Sequence, residues 1–232
     1  MDYTYDINEK DKCWYLKVCD KSRCGDDFCV RHYKMSCLIS MACMEGKQRY
    51  PIPLKLDADK ADKDAYDKLR VIQDDIYNFV TQGKNLLIYS KHTGNGKTEW
   101  AKKLMLSWFN AIWTKTDFEC RGLFVSLPKL LTSKQSNIDK PNEYYNYVVD
   151  NIIKADLVVW DELNYKKYNE FEHGFILDIL SQRMALGKAN IYTTNYGMKE
   201  IQERLGQRLM SRVVAPSIHI EFVGKDKREL EV

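Results

Sequence analysis

Residues 85–98 constrain the fold more than any other part of this sequence. An apolar run at 85–90 is followed by a turn ending Gly94-Asn95-Gly96-Lys97-Thr98, and helix-forming residues continue over 99–113. Glycines let backbone N–H groups approach an anion, a helix N-terminus adds a positive dipole, and a lysine adds a full charge. A strand, this turn and a helix in that order predict a loop that binds the phosphates of a nucleotide.

Each position of this loop has an expected role. The Lys97 ammonium is expected to contact phosphate oxygens, and the Thr98 hydroxyl is expected to bind Mg²⁺. The pattern has glycine at position 91, where this chain has Lys91, so we expect a different turn at the start of the loop. An ordinary glycine-rich turn is the alternative. The residues expected to bind ATP are Thr93, Gly94, Asn95, Gly96, Lys97, Thr98 and Glu99.

Two carboxylates follow the apolar run at 155–160, namely Asp161 and Glu162. If this run is a parallel strand, the pair lies at the carboxyl edge of the sheet, beside the phosphate loop. Asp161 is then expected to hold Mg²⁺, and Glu162 to orient and deprotonate the attacking water. The alternative is an acidic pair at the start of a helix.

Asn195 follows another predicted strand, at 189–194. A polar side chain at the end of an adjacent strand can hydrogen-bond the γ-phosphate or the water, and Asn195 is the candidate for this role. Asparagine is also common in turns that end strands, which is the alternative.

Strands and helices alternate along the rest of the chain. An amphipathic helix is predicted at 65–80, further strands at 122–126 and 219–223, and helices at 171–186 and 198–213; residues 128–147 are expected to be partly helical, with a loop near 133–141. This order predicts an α/β fold with a parallel sheet flanked by helices on both faces. The chain is 44% hydrophobic and 30% charged, which is enough to form a core.

The charge and hydropathy of the chain exclude some classes of protein. The formal net charge of +3 does not by itself indicate nucleic-acid binding. No run of 18 apolar residues occurs, so no membrane span is expected, and the polar start has no secretory signal. A cytoplasmic location is therefore expected.

Three regions are predicted along the chain. Residues 1–50 are rich in cysteine, residues 51–64 contain a Tyr-Pro-Ile-Pro break and a charged run, and residues 65–232 carry the motifs above. Six of the seven cysteines lie between positions 13 and 43. In a reducing cytosol such a cluster holds a metal more often than disulfides.

Thiolates and imidazoles are good ligands for Zn²⁺, which structural sites bind tetrahedrally. The expected ligands are Cys13, Cys19, Cys24 and Cys29, with His32 as the main substitute. The spacing is not that of a standard zinc motif, and the absence of any metal is the alternative. Cys37 and Cys43 lie in an apolar stretch and are expected to pack as small hydrophobic side chains.

Five segments together resemble a known family. They are GNGKTEWA at 94–101, LVVWDEL at 157–163, NIYTTN at 190–195, LGQRLMSRV at 205–213 and EFVGKDKRE at 221–229. They resemble the AAA+ ATPases that load replicative helicases, the DnaC/DnaI type, and in particular the versions carried by bacteriophages. The first two segments are common to P-loop ATPases, and their combination with the next two is more specific.

The resemblance implies several further features. The position of Arg212 matches an arginine that reaches the γ-phosphate of a neighbouring subunit, with Arg208 as second choice, although both could be solvated helix residues. The chain is expected to have an AAA+ core without a C-terminal lid and to self-associate through a shared ATP site. The N-terminal zinc-binding module is expected to contact a hexameric replicative helicase.

The implied function is ATP-dependent loading of that helicase onto single-stranded DNA during replication, in the host cytoplasm if the chain is phage-encoded. Hydrolysis would be stimulated by DNA and partners. One alternative is a transposition-regulator ATPase that binds DNA and recruits a transposase. The other is a nucleotide-gated adaptor with little hydrolysis.

Overall fold

A computed structural model of the protein describes residues 29–44 and 60–226. Five strands form one parallel sheet in the order β2-β3-β4-β1-β5. The strands are β1 (Asn85–Tyr89), β2 (Gly122–Ser126), β3 (Leu157–Asp161), β4 (Ala189–Thr194) and β5 (Ser217–Glu221). This confirms the predicted parallel sheet, and it places β1, which leads into the phosphate loop, between β4 and β5.

Eight α-helices surround the sheet in the described part of the chain. They are α1 (Val30–Met41), α2 (Lys63–Asp74), α3 (Ile76–Thr81), α4 (Lys97–Ile112), α5 (Leu127–Ser136), α6 (Glu143–Ile152), α7 (Glu170–Ala185) and α8 (Met198–Val213). The helix predicted at 65–80 is divided in two at Asp75. The loop predicted near 133–141 begins later than expected, because α5 continues to Ser136.

Alternation of side chains along the strands divides the core into two layers. On β1, Leu86 and Ile88 face the layer formed with α1 to α4, and Leu87 faces the layer formed with α5 to α8. Trp100 and Trp108 of α4 are at most 1% exposed in the first layer. The helix that begins at the phosphate loop is therefore fixed by a fully buried face.

Helix α1 packs on this core, although its sequence lies in the predicted N-terminal module. Met35, Leu38 and Ile39 are at most 2% exposed in the first layer. The Phe124 N–H of the edge strand β2 donates to the carbonyl of Ala42 (2.8 Å), so the chain after α1 covers part of that edge. The module and linker predicted at 1–50 and 51–64 stay predictions.

Arg183 of α7 closes the amino-terminal end of the sheet. Its side chain is 0% exposed. The guanidinium donates to the carbonyls of Ile152 (2.5 Å), Ala155 (2.8 Å) and Ala189 (2.6 Å) and to Asn190 Oδ1 (2.7 Å). One buried cation therefore joins α6, α7 and the starts of β3 and β4, and desolvation lowers the Arg183 pKa to about 10.

No helix within residues 29–44 and 60–226 is long and apolar enough to cross a membrane.

Candidate nucleotide site

The loop between β1 and α4 turns through two left-handed glycines. Gly94 has φ +68° and Gly96, the residue before α4, has φ +100°. A Cβ on Gly94 would overlap the carboxylate of Asp226, so a side chain at this position would have to displace Asp226. Lys91 is not among the described residues with positive φ. The loop therefore turns without the glycine that the pattern has at position 91.

The Lys97 side chain is held inside the loop. It is 5% exposed, and its Nζ donates to the carbonyl of His92 (2.8 Å) and to Asn95 Oδ1 (3.0 Å). Because α4 begins at Lys97, this ammonium and the helix N-terminus lie together. The arrangement brings two sources of positive potential to one loop, as phosphate binding requires.

Asp161 is anchored by two threonines at the carboxyl edge of the sheet. Its Oδ1 accepts hydrogen bonds from Thr98 Oγ1 (2.9 Å) and from Thr193 Oγ1 (2.6 Å). Burial raises the Asp161 pKa, and the two hydrogen bonds oppose that rise. A hydroxyl and one carboxylate at this separation suit Mg²⁺, which binds through few protein ligands together with phosphate oxygens and water.

Glu162 follows Asp161 in a left-handed conformation. It has φ +57°, which is unfavourable for a residue with a Cβ and needs support from its surroundings. Thr193 provides that support, because its Oγ1 accepts from Glu162 N (3.1 Å) and its carbonyl accepts from Leu163 N (2.8 Å). Burial and, second, the charge of Asp161 raise the Glu162 pKa. The turn directs the Glu162 carboxylate, which is partly buried but still open to solvent, to the cavity beside the phosphate loop.

That cavity has a volume of about 440 Å³ and lies between the loop and the ends of β3 and β4. Asn195 lies on its wall, at an exposed position directly after β4. The lining consists of Thr93, Gly94, Asn95, Gly96, Lys97, Thr98, Glu99, Glu162, Thr193 and Asn195. The structure thus brings the predicted loop residues, Glu162 and Asn195 to one cavity, and Asp161 bonds to two residues of its wall.

Two residues that act on the Asp161 carboxylate, Thr193 and Lys102, were not identified from the sequence. Thr193 connects Asp161 to Glu162, and only its place in the run Thr193-Thr194-Asn195 could have indicated it. Lys102 is 8% exposed and pairs with Glu99 (2.7 Å). Its charge lowers the pKa of Asp161, in opposition to burial. Its spacing of three residues from Glu99 on a helix could have suggested this ion pair.

The two candidate arginines lie outside the cavity. Helix α8 is interrupted at Gly206, where φ is +68° and ψ is 166°, and Arg208 and Arg212 follow this break. Arg208 is exposed, and the half-buried Arg212 donates from Nε to Ser181 Oγ (3.4 Å). Neither arginine lines the cavity of its own chain, and a role on a neighbouring subunit stays a prediction.

Most of the predicted zinc ligands lie outside the described residues, namely Cys13, Cys19 and Cys24. Cys29 is the N-cap of α1, where its Sγ accepts from His32 N (3.5 Å). Among residues 29–44 and 60–226, no group of three or more His, Cys, Asp or Glu side chains could hold a metal ion. The zinc site remains a prediction.

Cys37 and Cys43 are partly buried, and Cys43 packs against the second core layer.

The fold matches solved structures of replication proteins. The DnaC helicase loader aligns with a TM-score of 0.57 at 18% identity, over 71% of this chain and 91% of that one. DnaI aligns with a TM-score of 0.57 at 20% identity, over 76% and 91%. The replication initiator DnaA, bound to AMPPCP and single-stranded DNA, aligns at 0.54 and 17% identity, over 71% and 47%.

No protein-family model and no curated protein matches the sequence. At these identities the structural matches establish the fold alone. They confirm the predicted parallel sheet flanked by helices.

Proposed function

We propose that this protein is an ATPase that loads a hexameric replicative helicase onto single-stranded DNA. The observation that carries the proposal is the cavity where Lys97, Thr98, Glu162 and Asn195 meet beside the buried Asp161. Helicase loaders and a nucleotide-bound replication initiator share the fold, which supports a role in the initiation of replication.

Each residue at the site has a proposed role. Backbone N–H groups of the loop and the Lys97 ammonium bind the phosphates, with the ammonium exchanging its present contacts to His92 and Asn95 for phosphate oxygens. Thr98 and Asp161 hold Mg²⁺, which neutralises charge on the phosphates when bound.

Glu162 accepts a proton from the attacking water, and burial supports this role because it raises the Glu162 pKa and so the basicity of the carboxylate. Thr193 fixes Glu162 relative to Asp161. Asn195 donates from its side-chain amide to the γ-phosphate or orients the water.

Arg212 completes the site of a neighbouring subunit, with Arg208 as the second candidate. A guanidinium is suited to this role because charge spreads over several γ-phosphoryl oxygens in the transition state. The exposure of Arg208 and the half-exposure of Arg212 leave both accessible to a second copy of the chain. Self-association through this site is part of the proposal.

The cysteine-rich module is proposed to bind the helicase. In this proposal it holds zinc through Cys13, Cys19, Cys24 and Cys29, or with His32 in place of one of them. Phage origin and a location in the host cytoplasm belong to the same proposal.

The ATPase proposal is tested with Lys97→Ala and Glu162→Gln in a DNA-stimulated hydrolysis assay. Lys97→Ala should lose nucleotide binding, whereas Glu162→Gln should bind ATP and lose turnover. Glu203→Gln, at an exposed position of α8, is the matched control and should behave as the unaltered protein. Turnover that survives in either site variant would refute the assignment. ATP binding without turnover in the unaltered protein would favour the adaptor.

The shared site is tested by mixing two inactive variants. Lys97→Ala retains its arginines, and Arg212→Ala retains its phosphate loop, so a mixed assembly should regain part of the hydrolysis. If the mixture of Lys97→Ala with Arg212→Ala stays inactive, and the mixture of Lys97→Ala with Arg208→Ala regains hydrolysis, the role passes to Arg208.

Capture of a hexameric helicase by the full-length protein tests the partner, and capture of a transposase would support the transposition alternative.

A further inference from the structure

Asp62 precedes α2 but makes no capping hydrogen bond to that helix. Its Oδ1 instead accepts from the backbone N–H groups of Val223 (2.8 Å) and Gly224 (2.9 Å). Asp62 is 1% exposed, so these two backbone donors replace water at Oδ1. The carboxylate therefore fixes the chain after β5 to the start of α2.

Residues 222–226, which we call the post-β5 segment, lie against the phosphate loop. The Gly224 carbonyl accepts from Asn95 Nδ2 (3.5 Å). The Asp226 carboxylate occupies the position where a Gly94 side chain would lie, and it accepts from Thr93 Oγ1 (3.4 Å). Asp226 is not part of the cavity lining, so the segment supports the loop from outside the proposed phosphate position.

Asn95 connects this segment to the lysine of the loop. Its side chain is 0% exposed. Nδ2 donates to Ser90 Oγ (2.7 Å) at the start of the loop, while Oδ1 accepts from Lys97 Nζ (3.0 Å). One buried amide thus contacts the start of the loop, the post-β5 segment and the ammonium.

We propose that Asp62 is a positioning residue for nucleotide binding, a role that rests on the proposed ATP site. Asp62 holds Gly224 against Asn95, and Asn95 in turn holds the loop and Lys97 in one arrangement. A loop ordered before binding loses less conformational entropy when phosphates arrive, so its affinity is higher. Asp62 contacts no reacting group, and its effect falls on affinity rather than on the chemical step.

The test compares Asp62→Ala with Asp62→Asn by titration with a fluorescent ATP analogue. Asp62→Ala should weaken binding about tenfold or more, since two charge-assisted hydrogen bonds are lost, with turnover at saturating ATP within about twofold. Asp62→Asn retains an oxygen acceptor and should restore most of the affinity. Asp64→Ala removes an aspartate on the same helix whose side chain is 81% exposed, and it should change nothing.

A double-mutant cycle with Asn95→Ala tests the order of contacts. If Asp62 acts through Asn95, the double variant should bind no more weakly than Asn95→Ala alone; additive losses would overturn the proposal. Hydrogen exchange of the unaltered protein gives a measurement that needs no variant to fold. The amides of the post-β5 segment should exchange more slowly with the analogue bound, and unchanged exchange would also overturn it.

These outcomes separate the two proposals. An unaltered protein that binds no ATP analogue refutes the proposed function. An unaltered protein that binds it, together with a folded Asp62→Ala variant of equal affinity, refutes the positioning role alone.

Discussion

Thr193 and Thr194 at the end of β4 allow a controlled comparison, because both side chains are buried but only the Thr193 hydroxyl is hydrogen-bonded. Thr193 Oγ1 donates to Asp161 (2.6 Å) and accepts from Glu162 N (3.1 Å). Thr194 is 1% exposed, and its Oγ1 has no hydrogen-bond partner among the described residues. Valine has nearly the shape of threonine, so each Thr→Val change mainly removes one hydroxyl.

The two changes should move stability in opposite directions. Thr193→Val removes one hydrogen bond to a carboxylate, a type that contributes about 1.5–3 kcal/mol, and one neutral bond of about 0.5–1.5 kcal/mol. The expected loss in the free energy of unfolding is therefore about 2–4.5 kcal/mol. Thr194→Val removes a buried hydroxyl that lacks a partner, and stability should rise by up to about 1 kcal/mol.

Urea denaturation, monitored by circular dichroism, measures both changes. The comparison requires that the free energy of unfolding depends on urea concentration with the same slope in the unaltered protein and the two variants. Turnover should also fall in Thr193→Val, because Asp161 and Glu162 lose their common anchor. Equal losses of stability in the two variants would refute the hydrogen-bond pattern at the end of β4. A stabilised Thr193→Val would refute it as well.

Three further outcomes follow from buried or strained positions. Gly94→Ala should weaken binding of an ATP analogue about tenfold in a titration, because a φ of +68° is unfavourable for alanine and the new methyl would displace the Asp226 carboxylate. Arg183→Lys should lower the free energy of unfolding by about 3 kcal/mol or more in urea denaturation, since an ammonium cannot replace a guanidinium bonded to three carbonyls and Asn190. Cys120, whose pKa burial raises from 9.0 to about 11, should react with iodoacetamide about 100-fold more slowly than an ordinary thiol at pH 8, as measured by mass spectrometry.

Local patterns predicted the elements well where one face is fully buried. β2 and β4 have the bounds expected from their apolar residues, and α8 has the expected bounds but is interrupted at Gly206. The helix predicted at 65–80 shows where periodicity misleads, because Ile72 and Ile76 keep helical spacing across the break at Asp75. A short interruption that preserves the buried face leaves no signal in the hydrophobic pattern.

The carboxyl-edge residues could be predicted because parallel strands bring their ends together. Asp161 and Asn195 follow from that rule without any knowledge of side-chain contacts. The contact of Asp62 with Gly224 could not be predicted, because it joins residues 162 positions apart and no spacing rule relates them. Lys91 is tolerated at the start of the loop, since Gly94 and Gly96 provide the left-handed turns.

Asp62 lies in the predicted linker at 51–64 and connects it to the proposed ATP site through hydrogen bonds. Its carboxylate is hydrogen-bonded to the post-β5 segment, which contacts Asn95 and the phosphate loop. A partner that displaced the start of α2 by more than the length of a hydrogen bond would release Gly224 and loosen the loop. Coupling between two binding events is reciprocal, so ATP must then alter the affinity for that partner by the same factor. If a helicase binds the N-terminal region equally well with and without ATP, this coupling between the partner and ATP is excluded.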